Sequence, residues 1–157
     1  MATYTDTLGF DKGSAALPAD ALNKVHRVEV VLDFPKIAAA RLAAGATALA
    51  ADILEVLPIP AGTIATHVGM QVTTASGATC TMSIGDVDTA AVYLAATSIN
   101  ATGFSGGVPI VTGTPGAFAP TQSGGKLYAA ANALRVTLSA APAAAVVRVF
   151  AVLTDVS

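Results

Sequence analysis

The sequence has no tryptophan, a single cysteine and few charges, and each shortage excludes something. Cys80, being alone, forms neither an intrachain disulfide nor a cysteine-based zinc site, so packing and association must hold the fold. Charged residues are 11% of the chain, against roughly 25% in an ordinary soluble domain, too few to spread over a monomer's surface. Part of that surface is expected to lie against a partner. The 8 Lys and Arg stand singly and the formal net charge is −2, which leaves no footprint for nucleic acid or for an anionic membrane. Aromatic residues are 5%, which weakens a sugar-binding platform of stacked Trp or Tyr rings. The most apolar stretch, Ile37 to Ala51, falls short of the roughly 20 residues a bilayer needs and contains Arg41. The opening MATYTDTLGFDKG has neither a basic segment nor an apolar run, so the expectation is a cytosolic product without a signal peptide.

What the chain does have is apolar bulk. Hydrophobic residues are 54% of 157, enough to bury one core and to exclude intrinsic disorder. Residues 1–23 mix Thr, Asp, Gly and Pro without a sustained period and read as an extended N-terminal arm. Residues 24–157 contain no linker and no fixed-period repeat, and so form one domain.

Within that domain, Val28, Val30, Leu32 and Phe34 share one parity while Arg27, Glu29 and Asp33 take the other, the pattern of a half-buried strand. Pro35 suits the start of a helix, and Ile37, Ala40, Arg41 and Ala44 keep helical spacing until Gly45 offers a stop. DILEVLPI at 52–59 reads as a strand, with Pro58 marking an edge or a strand end. Val68, Met70 and Val72, then Cys80, Met82 and Ile84, alternate with polar or small residues, which predicts two antiparallel strands turning near Ala75-Ser76-Gly77. Residues 86–100 permit a helical turn or a strand. Residues 101–125 are rich in Gly and Pro and read as a long loop interrupted at most by Pro109-Ile110-Val111. Leu134, Val136 and Leu138 mark another strand, Ala140 to Ala144 its turn, and VVRVFAVL at 146–153 a last one. That last strand is apolar on both parities, so it is central to a sandwich or lies against another subunit. The sum is an all-β, antiparallel β-sandwich with one short helix, jelly-roll-like in preference to immunoglobulin-like.

Few residues invite chemistry. Asp86 and Asp88 in GDVD place two carboxylates close together, as a Ca²⁺ site would. Such a site needs about six to eight oxygens, however, and no third acid is near in sequence. Asp after Gly at a strand exit more often accepts from turn amides. His26 and His67, the only histidines, sit at polar or boundary positions of their strands and read as structural or solvent-facing. No Gly-x-Ser-x-Gly elbow is present, and Cys80 lies on an apolar parity opposite to that of His67, which argues against a Cys–His nucleophile. The glycines fit no phosphate-binding pattern and are turn formers. Tyr93, Phe104, Phe118 and Tyr128 fall in or beside the long loop, where anchoring it is their expected use. No catalytic, cofactor-binding or metal-ligating residue is assigned, and no cofactor is expected.

The Ala-rich segment at 36–51, LEVL-x-IPAGT at 54–63, SIGD-x-D at 83–88, GKLYAAANAL at 125–134 and the ending AVVRVFAVLTDVS resemble small structural proteins of tailed bacteriophages. The resemblance implies a virion component: a head decoration, or cement, protein that binds outside the major capsid protein lattice, often as trimers. On this reading the protein is not an enzyme, and its partners are the major capsid protein and itself, as a homotrimer. Its place is the capsid exterior, and the N-terminal arm reaches neighbouring subunits or capsid. The alternative is a tail or fibre module that recognises a host surface glycan through the 101–125 loop. A small hydrolase would need His67 or His26 with Asp86 or Asp88.

Overall fold

Apolar residues at every second position can be buried only if two sheets face each other, and the computed structural model has that form. It describes residues 3–4, 9–10, 25–46, 52–107, 125–142 and 144–156. Within these lie β1 (Thr3–Tyr4), β2 (Val25–Asp33), α1 (Phe34–Ala43), β3 (Ile53–Ile59), β4 (Thr63–Thr74) and β5 (Thr81–Gly85). There follow β6 (Leu94–Ser98), β7 (Gly103–Gly107), β8 (Lys126–Tyr128), β9 (Asn132–Leu138) and β10 (Val146–Asp155). The first sheet runs β1-β3-β9-β5-β6 and the second β2-β10-β4-β7, with β8 pairing the other end of β4. Val28, Val30 and Leu32 of β2, Val147, Val149, Ala151 and Leu153 of β10 and Val68, Met70 and Val72 of β4 meet Leu54, Met82, Ile84, Leu134 and Val136 between the sheets.

The order follows from folding the string of strands in half. β2 pairs with β10, β3 with β9, β4 with β7 and β8, and β5 with β6, all antiparallel. With the two-residue β1 left aside and β7 and β8 sharing one place, eight strand positions in chain order give sheets 1-8-3-6 and 2-7-4-5. That is the jelly roll, two Greek keys wrapped into a sandwich.

Each local signal has a physical cause. Asp33 caps α1, its Oδ1 accepting from the Lys36 amide at 3.2 Å, and Pro35 costs nothing in the first turn, where amides lack helical partners. The helix ends on Gly45 at φ 74°. There the Gly45 amide donates to Leu42 O at 3.0 Å and the Ala46 amide to Arg41 O at 2.9 Å, closing the last turn as a left-handed glycine allows. Phe34, Ile37 and Arg41 are buried. Pro58 is exposed on β3, beyond the two-residue stretch that β1 covers, so its missing amide leaves no ladder bond unmade. β10 is the interior strand between β2 and β4; Val147, Val149, Ala151 and Leu153 face the core, and on its outward row Phe150 is buried against Phe104.

Three expectations change. β4 and β5 are not a hairpin: they lie in opposite sheets, and 75–80 crosses between them, tied by the Ser76 amide to Ile99 O at 2.9 Å and the Cys80 amide to Asn100 Oδ1 at 3.0 Å. Parity reports which face is buried, and two strands facing each other across a core satisfy it as well as two lying side by side. For the same reason β9 and β10 are joined by a crossover and not by a turn. For 86–100, where a helical turn and a strand are both open to the sequence, the strand is what forms, as β6. Finally, Gly103–Gly107, read as loop, is a strand on β4, while 108–124, with Pro109-Ile110-Val111 and Phe118, lie outside the described residues.

Of the arm, β1 adds parallel to β3, and Phe10 is buried in the core. Gly9 (φ 83°) sits so close to α1 that a Cβ there would come within 2.5 Å of Ile37 Cα. These parts pack on their own sandwich. The rest of 1–23 lies outside the described residues.

Candidate functional site

Two regions stand apart from ordinary sandwich packing. The first is built on the exit of β5, where the chain doubles back so tightly that a Cβ on Gly85 would come within 2.1 Å of Thr89 O. Asp86 Oδ1 accepts from the amides of Asp88 at 3.0 Å and Thr89 at 2.8 Å. Its Oδ2 accepts from Tyr128 Oη at 2.7 Å and pairs with Lys126 Nζ. Tyr128 thereby spends its one proton on Asp86, so Tyr93 Oη donates to Tyr128 Oη in the contact between the two phenols. Asp88 Oδ2 accepts from Asn132 Nδ2 at 3.1 Å and lies 4.0 Å from Lys126 Nζ. Asn132 Oδ1 in turn accepts from the amides of Val87 at 3.2 Å and Ala133 at 2.7 Å. The network ties the β5–β6 connection to β8 and β9.

Its electrostatics are those of a fastening. Burial by itself pushes the Asp86 carboxyl up, yet hydrogen bonds from Lys126, Tyr128 and Thr89, with the Lys126 charge, outweigh it and hold the group below the usual carboxylate range. Burial pushes both phenols up, and for Tyr128 the neighbouring Tyr93 and Asp86 push in the same direction. Both oxygens of the carboxylate are engaged, and an ammonium stands where a bound cation would. Among the described residues no group of three His, Cys, Asp or Glu could hold a metal ion.

The remaining candidates do not converge. His67 is exposed on the outer face of β4, opposite Val152. His26 lies on the inward parity of β2 opposite Leu153, half-buried, with neither ring nitrogen hydrogen-bonded, so its expected polar position is corrected. Cys80 stands just before β5 of the other sheet, fully buried, with Sγ 3.1 Å from Ala140 O. Tyr93 and Tyr128 anchor the segment after the long excursion, while Phe104 is elsewhere. Lys126 as the partner of Asp86 was not foreseen.

The second region is the outer face of the β2-β10-β4-β7 sheet. Gly106, Gly69, Phe150 and Glu29 stand opposite one another across four strands, and the next row is Phe104, Gln71, Arg148 and Val31. The paired glycines leave a bare floor for the Phe150 ring. Phe104 packs on that ring with centroids 5.1 Å apart, and the Arg27 guanidinium lies 4.7 Å from its centroid. Glu29 accepts from Arg27 at 3.1 Å and faces Arg148 at 3.7 Å. Phe104 is 64% exposed and Val31 47%. The outer face of the other sheet is polar instead, with Thr81, Ser83, Thr137 and the Glu55–Arg135 pair at 3.4 Å. No helix among the described residues is long and apolar enough to cross a membrane.

No protein-family model and no curated protein matches the sequence. Among solved structures, the fold is similar to a chain in the acidic stable capsid structure of Helicobacter pylori bacteriophage KHP30. The TM-score is 0.56 at 10% identity, over 85% of this chain and 89% of that one. A chain in the capsid of Ralstonia phage GP4 matches at TM-score 0.55 and 15% identity, over 89% and 90%. A chain in the capsid asymmetric unit of cyanophage Pam1 matches at 0.56 and 16%, over 90% and 91%. At these identities the likeness is one of fold, and it runs nearly end to end in both partners of each comparison.

Proposed function

We propose that this chain is a non-enzymatic structural protein of a bacteriophage head, of the decoration or cement type. It binds the assembled shell from outside as a trimer and stabilises it through contact area. The observation that carries the reading is the near end-to-end fold likeness to chains of three phage capsid structures, joined to the sequence resemblance to small virion proteins. A protein that binds only the assembled form stabilises that form by mass action and needs no reacting group. The described residues fit this: the acids and histidines do not converge, and the outer faces of the two sheets offer one polar and one aromatic surface. The major capsid protein is the partner, and the virion exterior is the location.

The test uses particles of the phage that encodes the chain. The protein is expected to co-purify with intact heads, to appear as density on their outside in electron micrographs, and to raise the temperature at which heads open when added to heads lacking it. Its absence from heads overturns the reading, as does its presence at the tail tip together with binding on a glycan array.

A further inference from the structure

Among the described residues the second sheet ends at β2 and no strand pairs with its outer edge; a nine-residue edge strand of this kind is a template for another strand. What distinguishes this edge is its outward row from Val25 to Val31, Val25, Arg27, Glu29 and Val31, which ends before Asp33, whose side chain caps α1. Val25 is 66% exposed and Val31 47%, and the Arg27 and Glu29 side chains are 52% and 42% exposed. Read backwards, the row is apolar, acidic, basic, apolar, the complement of itself. Laid antiparallel against a second copy about a two-fold axis at Val28, Val25 stands opposite the other copy's Val31, and Arg27 opposite its Glu29. Glu29 then meets the other Arg27, and Val31 the other Val25. Every outward side chain from Val25 to Val31 finds a partner of matching chemistry, in the directly opposed geometry where cross-strand pairs interact.

The other edges lack this property. β7 reads GFSGG and β6 LAATS, both without charge, while β8, with Lys126 as its one charge, is three residues long and β1 two. We infer that β2 is a self-pairing edge, which joins two copies of this chain into one continuous sheet across a two-fold axis. The inference goes beyond the head reading and does not depend on it. In a three-copy assembly built on other surfaces, the same contact links one ring to the next.

Light scattering on the purified full chain tests it through a charge exchange. Arg27→Glu sets like charges opposite each other across the axis, and so does Glu29→Arg. Each variant is expected to halve the mass of the wild-type assembly at equal concentration. Mixing the two variants in equal amounts restores opposite charges at both positions, and the mass is expected to return to the wild-type value. No intrachain effect can produce that rescue. A register test runs beside it and holds even if a charge variant folds poorly. Under oxidation, Val25→Cys with Val31→Cys in one chain gives a covalent dimer, because opposed residues fall within disulfide reach, whereas either cysteine alone gives none. An unchanged mass in Arg27→Glu, a mixture that stays at half mass, or equal cross-linking by the single cysteines overturns the inference.

Discussion

The ring of Phe150 occupies the space that a side chain at position 69 would need. A Cβ on Gly69 would come within 2.7 Å of Phe150 Cζ, 2.7 Å of Gly106 Cα and 2.8 Å of Ser105 O. Two of those three atoms are backbone of β7, which cannot turn aside as a side chain can. A glycine in a central strand is ordinarily a weakness. Here it lets β10 carry an aromatic ring outward and still leave it only 8% exposed.

Gly69→Ala is therefore expected to cost roughly 1–3 kcal/mol through overpacking. Gly106→Ala, whose Cβ would have 3.6 Å or more to its nearest neighbours, should stay within about 0.5 kcal/mol of the parent. Urea unfolding of both variants checks the contrast. Equal losses would mean that Phe150 does not lie over Gly69.

Asp86 makes stability depend on pH, with a sign that follows from its environment. The folded protein holds this carboxyl below its ordinary value, so its contribution is complete above the unfolded-chain value of about 3.9 and is lost as pH falls through the folded value. Asp86→Asn leaves Lys126 with Asp88 at 4.0 Å as its remaining acid. Since the Lys126 side chain keeps 22% exposure, the cost at about pH 7 should be roughly 1–3 kcal/mol, below that of a fully buried broken pair. The gap between parent and variant should narrow as the pH falls below the unfolded-chain value of about 3.9 and through the lower folded value. A gap that stays constant across that window would remove Asp86 as the titrating group.

The phenols extend the same network into alkali. Burial pushes Tyr93 and Tyr128 far above the ordinary tyrosine range, so the fold holds them neutral. Their phenolate absorbance should appear together with alkaline unfolding, not before it. Tyr128→Phe removes the donor to Asp86 and should cost roughly 1–3 kcal/mol, while Tyr93→Phe removes only the outer donor and should cost roughly 0.5–1.5 kcal/mol. Reversal of that order in thermal melts would contradict the donor sequence from Tyr93 through Tyr128 to Asp86.

Much of the sandwich is legible in the sequence, and what is missed has a common cause. Alternation marks β2, β4, β5, β9 and β10, because each has one face in the core. It does not reveal which strand lies beside which, so the crossovers after β4 and β9 read as turns. β7 hides behind its glycines, and its place appears only when Gly106 is seen to pair with Gly69 of β4, over which Phe150, far along the chain, packs. The network at Asp86 is similarly non-local. The turn amides it accepts from are two and three residues away and were foreseeable from GDVD, but Lys126 and Tyr128 are 40 and 42 residues away. A single sequence carries no signal linking them. The self-complementary row of β2 is different, since its four residues were in view throughout. What gives the row meaning is the position of β2 at a sheet edge, and that is a fact of topology.

Cys80 provides a test of the two-sheet core that needs no substitution. Its thiol lies fully buried where the chain enters β5, 3.1 Å from Ala140 O in the β9–β10 crossover. A reagent can reach it only when that crossover lifts or the sheets part. Labelling in native buffer should accordingly be slow, and its rate should climb with denaturant along the curve for global unfolding. Fast labelling in native buffer would mean that β5 and the β9–β10 crossover do not close over the core as described. If labelling were instead slow but independent of denaturant, it would report a local opening at 139–145, and the crossover alone would be the mobile part.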